Sequence, residues 1–331
     1  CGHFFRAMEG MDASGLDVVY QIWPEYTQGR HLTPFGYLDS FFYYWGLPKM
    51  ASSLAHLDPK KKGITVCEIF GAYGWQEGLK LMKWLTDHVC VRGINRLIPH
   101  AFSPKEKDED CPPHFYARGE NPQWDYFHVW SDYANRLCAL LSEGQHIADA
   151  AVLYHAEAEW GGEYEPFEMA VKALAEAQID CDVVPADYLT QDRASVRDGK
   201  LTINEESYGA LIVPYAQALP ETTVRELLRL AEDGLTVLIM RDYPERIYFK
   251  PDSMLLTKLR GQENIYVRTY EDLPEYFRKE ETAGKIEGSF PYLSVMKRKT
   301  SAGTLYFFVN ESKYKTVRTT FSIDEAEKLL W

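Results

Sequence analysis

The feature that most constrains the fold is a short apolar run that recurs three times in the first third of the chain. Each run ends in a polar group, and the three groups are Gln21, Glu68 and His100. Amphipathic helical patterns separate the runs, over 45–57 and 79–91. A helix between two strands carries the chain back to the end where the first strand began, which makes the strands parallel. We therefore expect three parallel strands whose polar ends meet at one edge.

Glu68 is the candidate catalytic residue. It closes the run Ile64-Thr65-Val66-Cys67, and glutamate is rare in buried strands unless it is paired. Barrels of alternating strands and helices place catalytic groups at the carboxyl ends of their strands. The alternative is that Glu68 caps the following helix or pairs with an arginine, and the pattern alone leaves both roles open.

Other side chains near the same strand ends are candidates for binding a sugar. They are Gln21, Trp23, Glu25, Tyr73, Trp75, His100 and His114. The aromatic members offer flat faces on which sugar rings stack, and Gly71 and Gly74 allow close approach of the backbone. We expect the three aromatic residues to line one pocket mouth with Glu68 and His100. The alternatives are a structural histidine at position 100 and core packing of the tryptophans.

The second half of the chain alternates strands and helices again, from about residue 148 to residue 267. This pattern predicts a flavodoxin-like three-layer domain. Its first strand is followed by His155, Glu157 and Glu159 instead of a glycine-rich phosphate loop, so we expect no nucleotide there. The two glutamates are further candidates for substrate binding, with a surface role as the alternative. From about residue 290 an alternating pattern predicts an antiparallel hairpin.

Composition excludes several classes of partner. The net charge of −13 disfavours nucleic acid, which needs clustered Lys and Arg. No apolar run approaches the length of a membrane span. The six cysteines form no C-x-x-C pair, which favours free thiols and a reducing, cytoplasmic location. An aromatic content of 14% suits a carbohydrate-binding cleft, although large cores use aromatic residues too.

Three segments taken together resemble the family 106 α-L-rhamnosidases of bacteria and their relatives. They are Cys67-Glu68-Ile69-Phe70-Gly71-Ala72-Tyr73-Gly74-Trp75, Arg92-Gly93-Ile94-Asn95 and Pro99-His100-Ala101-Phe102-Ser103. Pro112-Pro113-His114-Phe115 and Ala156-Glu157-Ala158-Glu159-Trp160 fit the same resemblance. The second domain also resembles the amidotransferase-like domain of family 42 β-galactosidases.

This resemblance implies an α/β chain with three domains. Residues 1–146 would form the C-terminal part of a (β/α)8 barrel, 147–285 the flavodoxin-like, amidotransferase-like domain, and 286–331 the start of a β-domain. It also implies that Glu68 ends the seventh barrel strand, which carries the nucleophile or base in many barrel glycosidases. The fourth strand, which carries the acid there, would lie before Cys1. The resemblance further implies a calcium ion near the sugar site, and no other cofactor is expected.

The predicted function is hydrolysis of glycosidic bonds in an oligo- or polysaccharide, with α-L-rhamnosidase activity implied by the resemblance and Glu68 as nucleophile or general base. The alternative is a non-catalytic carbohydrate-binding or structural protein on a degenerate barrel. Three parallel strands leave an open edge and an uncovered apolar face. We therefore expect the isolated chain to be inactive, and either to associate with another copy or to depend on further chain that covers this face.

Overall fold

The computed structural model describes residues 3–24, 30–33, 36–248, 254–279 and 285–322. The helices are α1 (Phe4–Met8), α2 (Leu47–Leu57), α3 (Leu79–Cys90), α4 (Phe127–Leu140), α5 (Glu168–Glu176), α6 (Glu221–Glu232), α7 (Met254–Gly261) and α8 (Leu273–Lys279). The first strands are β1 (Ser14–Val19), β2 (Arg30–Thr33), β3 (Gly36–Asp39), β4 (Thr65–Gly71), β5 (Arg96–Pro99), β6 (Gln145–Ile147), β7 (Ala150–Tyr154) and β8 (Cys181–Pro185).

The remaining strands belong to the second half of the chain. They are β9 (Ala194–Arg197), β10 (Lys200–Ile203), β11 (Glu206–Tyr208), β12 (Ala210–Val213), β13 (Ala218–Leu219), β14 (Thr236–Met240), β15 (Arg246–Ile247), β16 (Ile265–Arg268), β17 (Lys285–Ile286), β18 (Leu293–Thr300), β19 (Gly303–Asn310) and β20 (Phe321–Ser322).

The first sheet has the order β1-β4-β5, and both pairings are parallel. This agrees with the three predicted parallel strands. Its helices α2 and α3 are amphipathic, and Met50, Leu54, Leu85 and Val89 on them are buried. They cover one face of the sheet, because the chain between two parallel strands must return along the sheet. Within the described residues, β1 and β5 are the edge strands of this sheet.

Strand β4 runs further than the sequence pattern indicated. Glu68 was expected to close the strand, but it is the fourth of seven strand residues. The strand continues because Ile69 and Phe70 are strand formers that become fully buried. Glu68 therefore projects from the body of the strand.

The second sheet is wholly parallel, with the order β16-β14-β12-β7-β8. Numbered within this domain, the order is that of flavodoxin-like folds, with the first strand between the second and the third. Its strands read as continuous apolar runs, since helices cover both faces of such a sheet. A hairpin with its tip at Asp198-Gly199 joins β9 to β10.

A third sheet, β19-β18-β6, is antiparallel and contains the predicted hairpin. Strand β6 spans the predicted boundary at residue 146, so it pairs the start of the second domain with the third. A buried ion pair joins this part to the first sheet: the guanidinium of Arg92 donates to both carboxylate oxygens of Glu311, at 2.8 and 3.1 Å. The predicted domain boundaries remain a proposal.

Helix α2 packs on β8, and a buried polar cluster fixes how they align. Lys49 donates to Asp180 at 3.0 Å, and about two turns further along the helix His56 contacts Asp182 at 3.0 Å. The residue numbers of the paired contacts increase together along α2 and along β8, so the strand runs in the same direction as the helix. Because α2 leads back to the start of β4, the strands of the two parallel sheets run in opposite directions. Lys61, beyond the end of α2, donates to the carbonyl oxygens of Met8 and Glu9 just before β1.

Candidate active site

The register of the first sheet places two acidic side chains next to each other. Asp17 of β1 pairs with Glu68 of β4, and Glu68 pairs with Ile98 of β5. Residues opposite each other on neighbouring strands share a face, and successive residues alternate between faces. Cys67 and Ile69 are buried, so Glu68 points away from the helices together with Asp17 and the exposed Ile98.

Glu68 is half-buried, and no described residue donates a hydrogen bond or a salt bridge to its carboxylate. The two structural roles considered for it, a helix cap and an arginine partner, are therefore not seen in the described part of the chain. The backbone just beyond it turns sharply. Phe70 and Ala72 have φ angles of 84° and 58°, and Tyr20 beyond β1 has 63°. Non-glycine residues in this region are concentrated at functional sites.

Asp17 is a residue that the sequence reasoning missed. Burial raises the pKa of Asp17, the charge of Glu68 raises it further, and His100 opposes both effects. A signal was available, because Asp17 is a lone acid in an apolar strand, but Glu68 was chosen as a lone acid at the end of its apolar run. It was passed over because the run around it was taken to end at Gln21.

His100 follows β5 directly, as predicted, and lies near the two acids. Its Nε2 is 3.0 Å from Oδ2 of Asp110, and its buried Nδ1 has no partner among the described residues. The pKa of Asp110 is lowered, first by the backbone N–H of Cys111 and then by the hydrogen bond with His100. An exposed carboxylate thus holds the orientation of the imidazole ring at the strand edge.

The three predicted stacking aromatics have different surroundings. Trp75 is 53% exposed and meets the ring of His114 edge-on at 5.4 Å. Trp23 is half-buried, and its indole N–H donates to the carbonyl oxygen of Tyr20 at 3.0 Å. The prediction for Tyr73 is wrong: it is fully buried, and its hydroxyl donates to the carbonyl oxygen of Ile22 at 2.6 Å. Its ring packs against that of Trp23, so it supports the wall instead of contacting a ligand.

Two other predicted binding residues act within the protein. The side-chain oxygen of Gln21 accepts a hydrogen bond from the backbone N–H of Val19. His114 is buried, and its Nε2 contacts the carbonyl oxygen of Asp110 at 3.1 Å. It therefore shapes the loop that carries Asp110. Glu25 lies outside the described residues.

Glu157 and Glu159 do not join this site. Arg6 of α1 donates to Glu157 at 3.3 Å, and α1 precedes β1, so this contact lies at the amino end of the first sheet. Glu159 lies in the same 3-10 turn, Ala156–Trp160. They lie away from Glu68 because the two parallel sheets run in opposite directions, so that the carboxyl end of β7 meets the amino end of β1.

Glu77, in the loop between β4 and α3, is a second residue that sequence reasoning missed. It is buried, and neither carboxylate oxygen has a hydrogen-bond partner among the described residues. Burial raises its pKa to about 9, so it is neutral at pH 7. The backbone at this position is held by Gln123, whose side-chain amide donates to the carbonyl oxygen of Glu77 at 2.8 Å. No sequence pattern marks it, since acids are common in loops.

Two groups of side chains in the described part of the chain bring metal-binding atoms close together. His100, Asp110 and Cys111 offer nitrogen, oxygen and sulfur, whereas calcium takes six to eight oxygen ligands, so this set does not suit the calcium ion implied by the resemblance. His56, His146 and Asp182 form the other group. The two imidazole rings are stacked at 4.2 Å with 20° between their planes, so one ion cannot lie in both ring planes.

Solved structures share the fold of the chain. The rhamnosidase from Novosphingobium sp. PP1Y matches with a TM-score of 0.64 and 18% identity, over 92% of this chain and 30% of that one. A GH42 β-galactosidase from G. stearothermophilus gives 0.65 and 10%, over 94% and 55%. The exo-carrageenase GH42 from Bacteroides ovatus gives 0.53 and 10%, over 86% and 44%. The chain therefore spans between 30% and 55% of their lengths, and at these identities the likeness shows the fold.

Comparison with curated proteins found no match. No helix within the described residues is long and apolar enough to cross a membrane. The family model described as alpha-L-rhamnosidase, glycoside hydrolase family 106, matches residues 40–247. The match contains Glu68, Glu77 and His100, and both resemblances found in the sequence are confirmed. Since the match covers well over half of the 331 residues, the chain belongs to glycoside hydrolase family 106.

Proposed function

We propose that this chain carries part of the active site of a glycoside hydrolase that cleaves O-glycosidic bonds in an oligo- or polysaccharide. The observation that carries the proposal is the pair Asp17 and Glu68, side by side on the uncovered face of a parallel sheet, in a chain of family 106. The name of the family model makes α-L-rhamnosides the substrate class.

Glu68 is the proposed nucleophile or general base. Glycoside hydrolysis needs one ionised carboxylate that attacks the sugar or activates water, and one acid that protonates the leaving oxygen. The carboxylate of Glu68 has no hydrogen-bond donor among the described residues, so it is free for either role. Asp17 is proposed to act through Glu68, since burial and the charge of Glu68 both raise the pKa of Asp17.

Two further residues are proposed to hold the sugar. His100 is held by the contact of its Nε2 with the exposed carboxylate of Asp110, and it is proposed to exchange this contact for a sugar hydroxyl group. Trp75 offers an exposed flat face on the neighbouring loop, and Trp23 offers a half-buried one. Such a mixture of flat apolar faces and a few fixed polar groups is typical of small-molecule sites. No step in this scheme runs through a metal ion.

The direct test is Glu68→Gln in the longest form of the protein that hydrolyses an α-L-rhamnoside. We expect kcat to fall about a thousandfold with an unchanged circular dichroism spectrum, because the amide can neither attack nor accept a proton. Glu159→Gln is the matched control at the opposite end of the first sheet and should leave kcat unchanged. An unaltered kcat for Glu68→Gln rules out the proposed role.

We also propose that the isolated chain is inactive and associates with itself. In the described residues, β1 and β5 each leave one edge unpaired, and Ile98 is 55% exposed on the open face. Uncovered edges and apolar faces favour association and give water free access to Glu68. Size-exclusion chromatography with light scattering should show a species larger than the 38.2 kDa monomer. A monomer that hydrolyses rhamnosides would contradict both statements.

A further inference from the structure

Beyond the residues already assigned, the carboxyl edge of the first sheet carries an aromatic cluster. Phe102 lies two residues after His100, and its ring is stacked on Tyr116 at 5.0 Å with 4° between the planes. Trp124 meets Phe102 at 5.8 Å and Tyr116 at 5.1 Å, in both cases edge to face. Phe102 is nevertheless 56% exposed, whereas Tyr116 and Trp124 are half-buried. One face of Phe102 is therefore supported by the protein while much of the ring remains open to solvent.

The backbone fixes this arrangement. The N–H of Tyr116 donates to the carbonyl oxygen of Phe102 at 3.0 Å, and the N–H of Phe115 donates to that of Ala101 at 2.8 Å. Ala101 in turn donates to Pro113 at 3.0 Å. These bonds hold the strand-end segment against the 113–116 segment, so the stacked pair is built on paired backbone. An exposed aromatic ring held in this way loses little conformational freedom when a ligand binds.

The same loop supports the aromatic residue already assigned to the site. Trp75 rests on His114, and the N–H of Gly74 donates to the carbonyl oxygen of Pro112 at 3.1 Å. The segment 110–116 thus contains Asp110 together with His114, which supports Trp75, and Tyr116, which supports Phe102. Carboxylates lie beside Phe102 as well, since Asp108 accepts a hydrogen bond from Ser103 at 2.8 Å. An apolar face whose chain neighbours Ser103 and His100 each hold a carboxylate suits a pyranose, which has an apolar C–H face and hydroxyl donors at its rim.

We propose that Phe102, supported by Tyr116 and Trp124, is a second sugar-stacking subsite, held by the same 110–116 segment as the subsite of Trp75. This inference rests on the proposed function and adds that the ligand is at least a disaccharide. The second pyranose ring stacks on the face of Phe102, and the carboxylates of Asp108 and Asp110 accept hydrogen bonds from its hydroxyl groups. A monosaccharide occupies only the Trp75 subsite and does not reach Phe102.

The test compares two ligands on the chain itself, by isothermal titration calorimetry: methyl α-L-rhamnoside and a rhamnosyl-glucose disaccharide. We expect Phe102→Ala to weaken binding of the disaccharide about five- to tenfold, the loss expected for the apolar contact of one ring face, and to leave the monosaccharide unchanged. Phe102→Tyr keeps the flat face and should bind as the wild type does. Trp160→Ala is the matched control, since Trp160 is 72% exposed but follows β7 at the opposite end of the first sheet.

The possible outcomes separate this inference from the proposed function. If Phe102→Ala binds the disaccharide as tightly as the wild type, or if the wild type binds neither ligand, the subsite is refuted. If Phe102→Ala instead abolishes self-association of the chain without changing sugar binding, the ring is a protein contact and the subsite is also refuted. Disaccharide binding that depends on Phe102 supports the subsite even if Glu68→Gln shows that Glu68 is not catalytic, because binding does not require the reacting carboxylate.

Discussion

Each of the two parallel sheets has a strand followed directly by a histidine, and the two histidines have opposite surroundings. His100, after β5, is half-buried and contacts the exposed carboxylate of Asp110. His155, after β7, is buried with its Nε2 3.4 Å from the carbonyl oxygen of Tyr215, and burial lowers its pKa to about 4. The first can exchange its contacts with a ligand, whereas the second is a neutral part of the core.

The loops beyond the strands create this difference. At the second sheet the segment 163–165 pairs with 215–217 through backbone hydrogen bonds, at the point between the first and third strands where flavodoxin-like folds bind ligands. Arg241 closes it further by donating to Glu163 at 2.8 Å. At the first sheet the described loops leave Trp75, Phe102 and the two acids accessible. Sheet topology therefore offers a site at both carboxyl edges, and the following loops decide which one is used.

The largest effect expected from the contrast between the two carboxyl edges is a change in folding stability with pH, and it depends on Glu77. Its pKa is raised from 4.5 to about 9, so the folded state holds a proton that the unfolded state releases. Stability is therefore full below the unfolded pKa near 4.5 and falls as the pH rises towards 9. Glu77→Gln should be more stable than the wild type by about 1–3 kcal/mol at pH about 8, and equal to it at pH about 4. Urea denaturation at both pH values measures the difference.

Glu165 is the matched residue at the closed edge and should respond with the opposite sign. Its carboxylate accepts from the Tyr270 hydroxyl at 3.0 Å and lies 3.4 Å from Arg241. Glu165→Gln should therefore lower the stability at pH about 8, by roughly 1 kcal/mol. A stabilising effect there, or a destabilising effect of Glu77→Gln, would show that the two edges do not differ as described.

A smaller effect is expected from the acidic pair of the open edge. Asp17→Asn keeps the size of the side chain and removes the carboxyl group whose pKa is raised by burial and by the charge of Glu68. Because this group with its raised pKa no longer titrates beside Glu68, the acidic limb of the kcat/KM profile should move to lower pH, while the activity at neutral pH is retained. Asp17→Glu keeps the charge and should leave the limb in place. If Asp17→Asn abolishes activity at every pH, Asp17 contacts substrate instead of acting through Glu68.

The smallest effect belongs to the ion pair that closes the second edge. Arg241 and Glu163 are both about half exposed, and exposed pairs contribute little. Arg241→Ala should cost less than about 1 kcal/mol and leave rhamnoside hydrolysis unchanged. Thermal denaturation and a rate assay on the same preparation check both parts. A loss of hydrolysis would show that the second carboxyl edge contributes to the reaction after all.

The sequence by itself determined the order and type of the main elements. Helical and strand periods are local properties, so the three strands of the first sheet, the flavodoxin-like alternation and the final hairpin were all readable from the residues. Glu68 and His100 stood out for the same reason, since a polar residue beside an apolar strand is visible without coordinates. Asp17 was overlooked because it lies inside its apolar run and not at the end of it.

Only the tertiary structure decided which side chains meet. Tyr73 and Trp75 are two residues apart and look alike in the sequence, but one packs under Trp23 and the other faces solvent. Glu157 follows a strand just as His100 does, yet the docking of β8 along α2 places it at the opposite end of the first sheet. Relative direction and burial arise from contacts between residues far apart in the chain, and no local pattern encodes them.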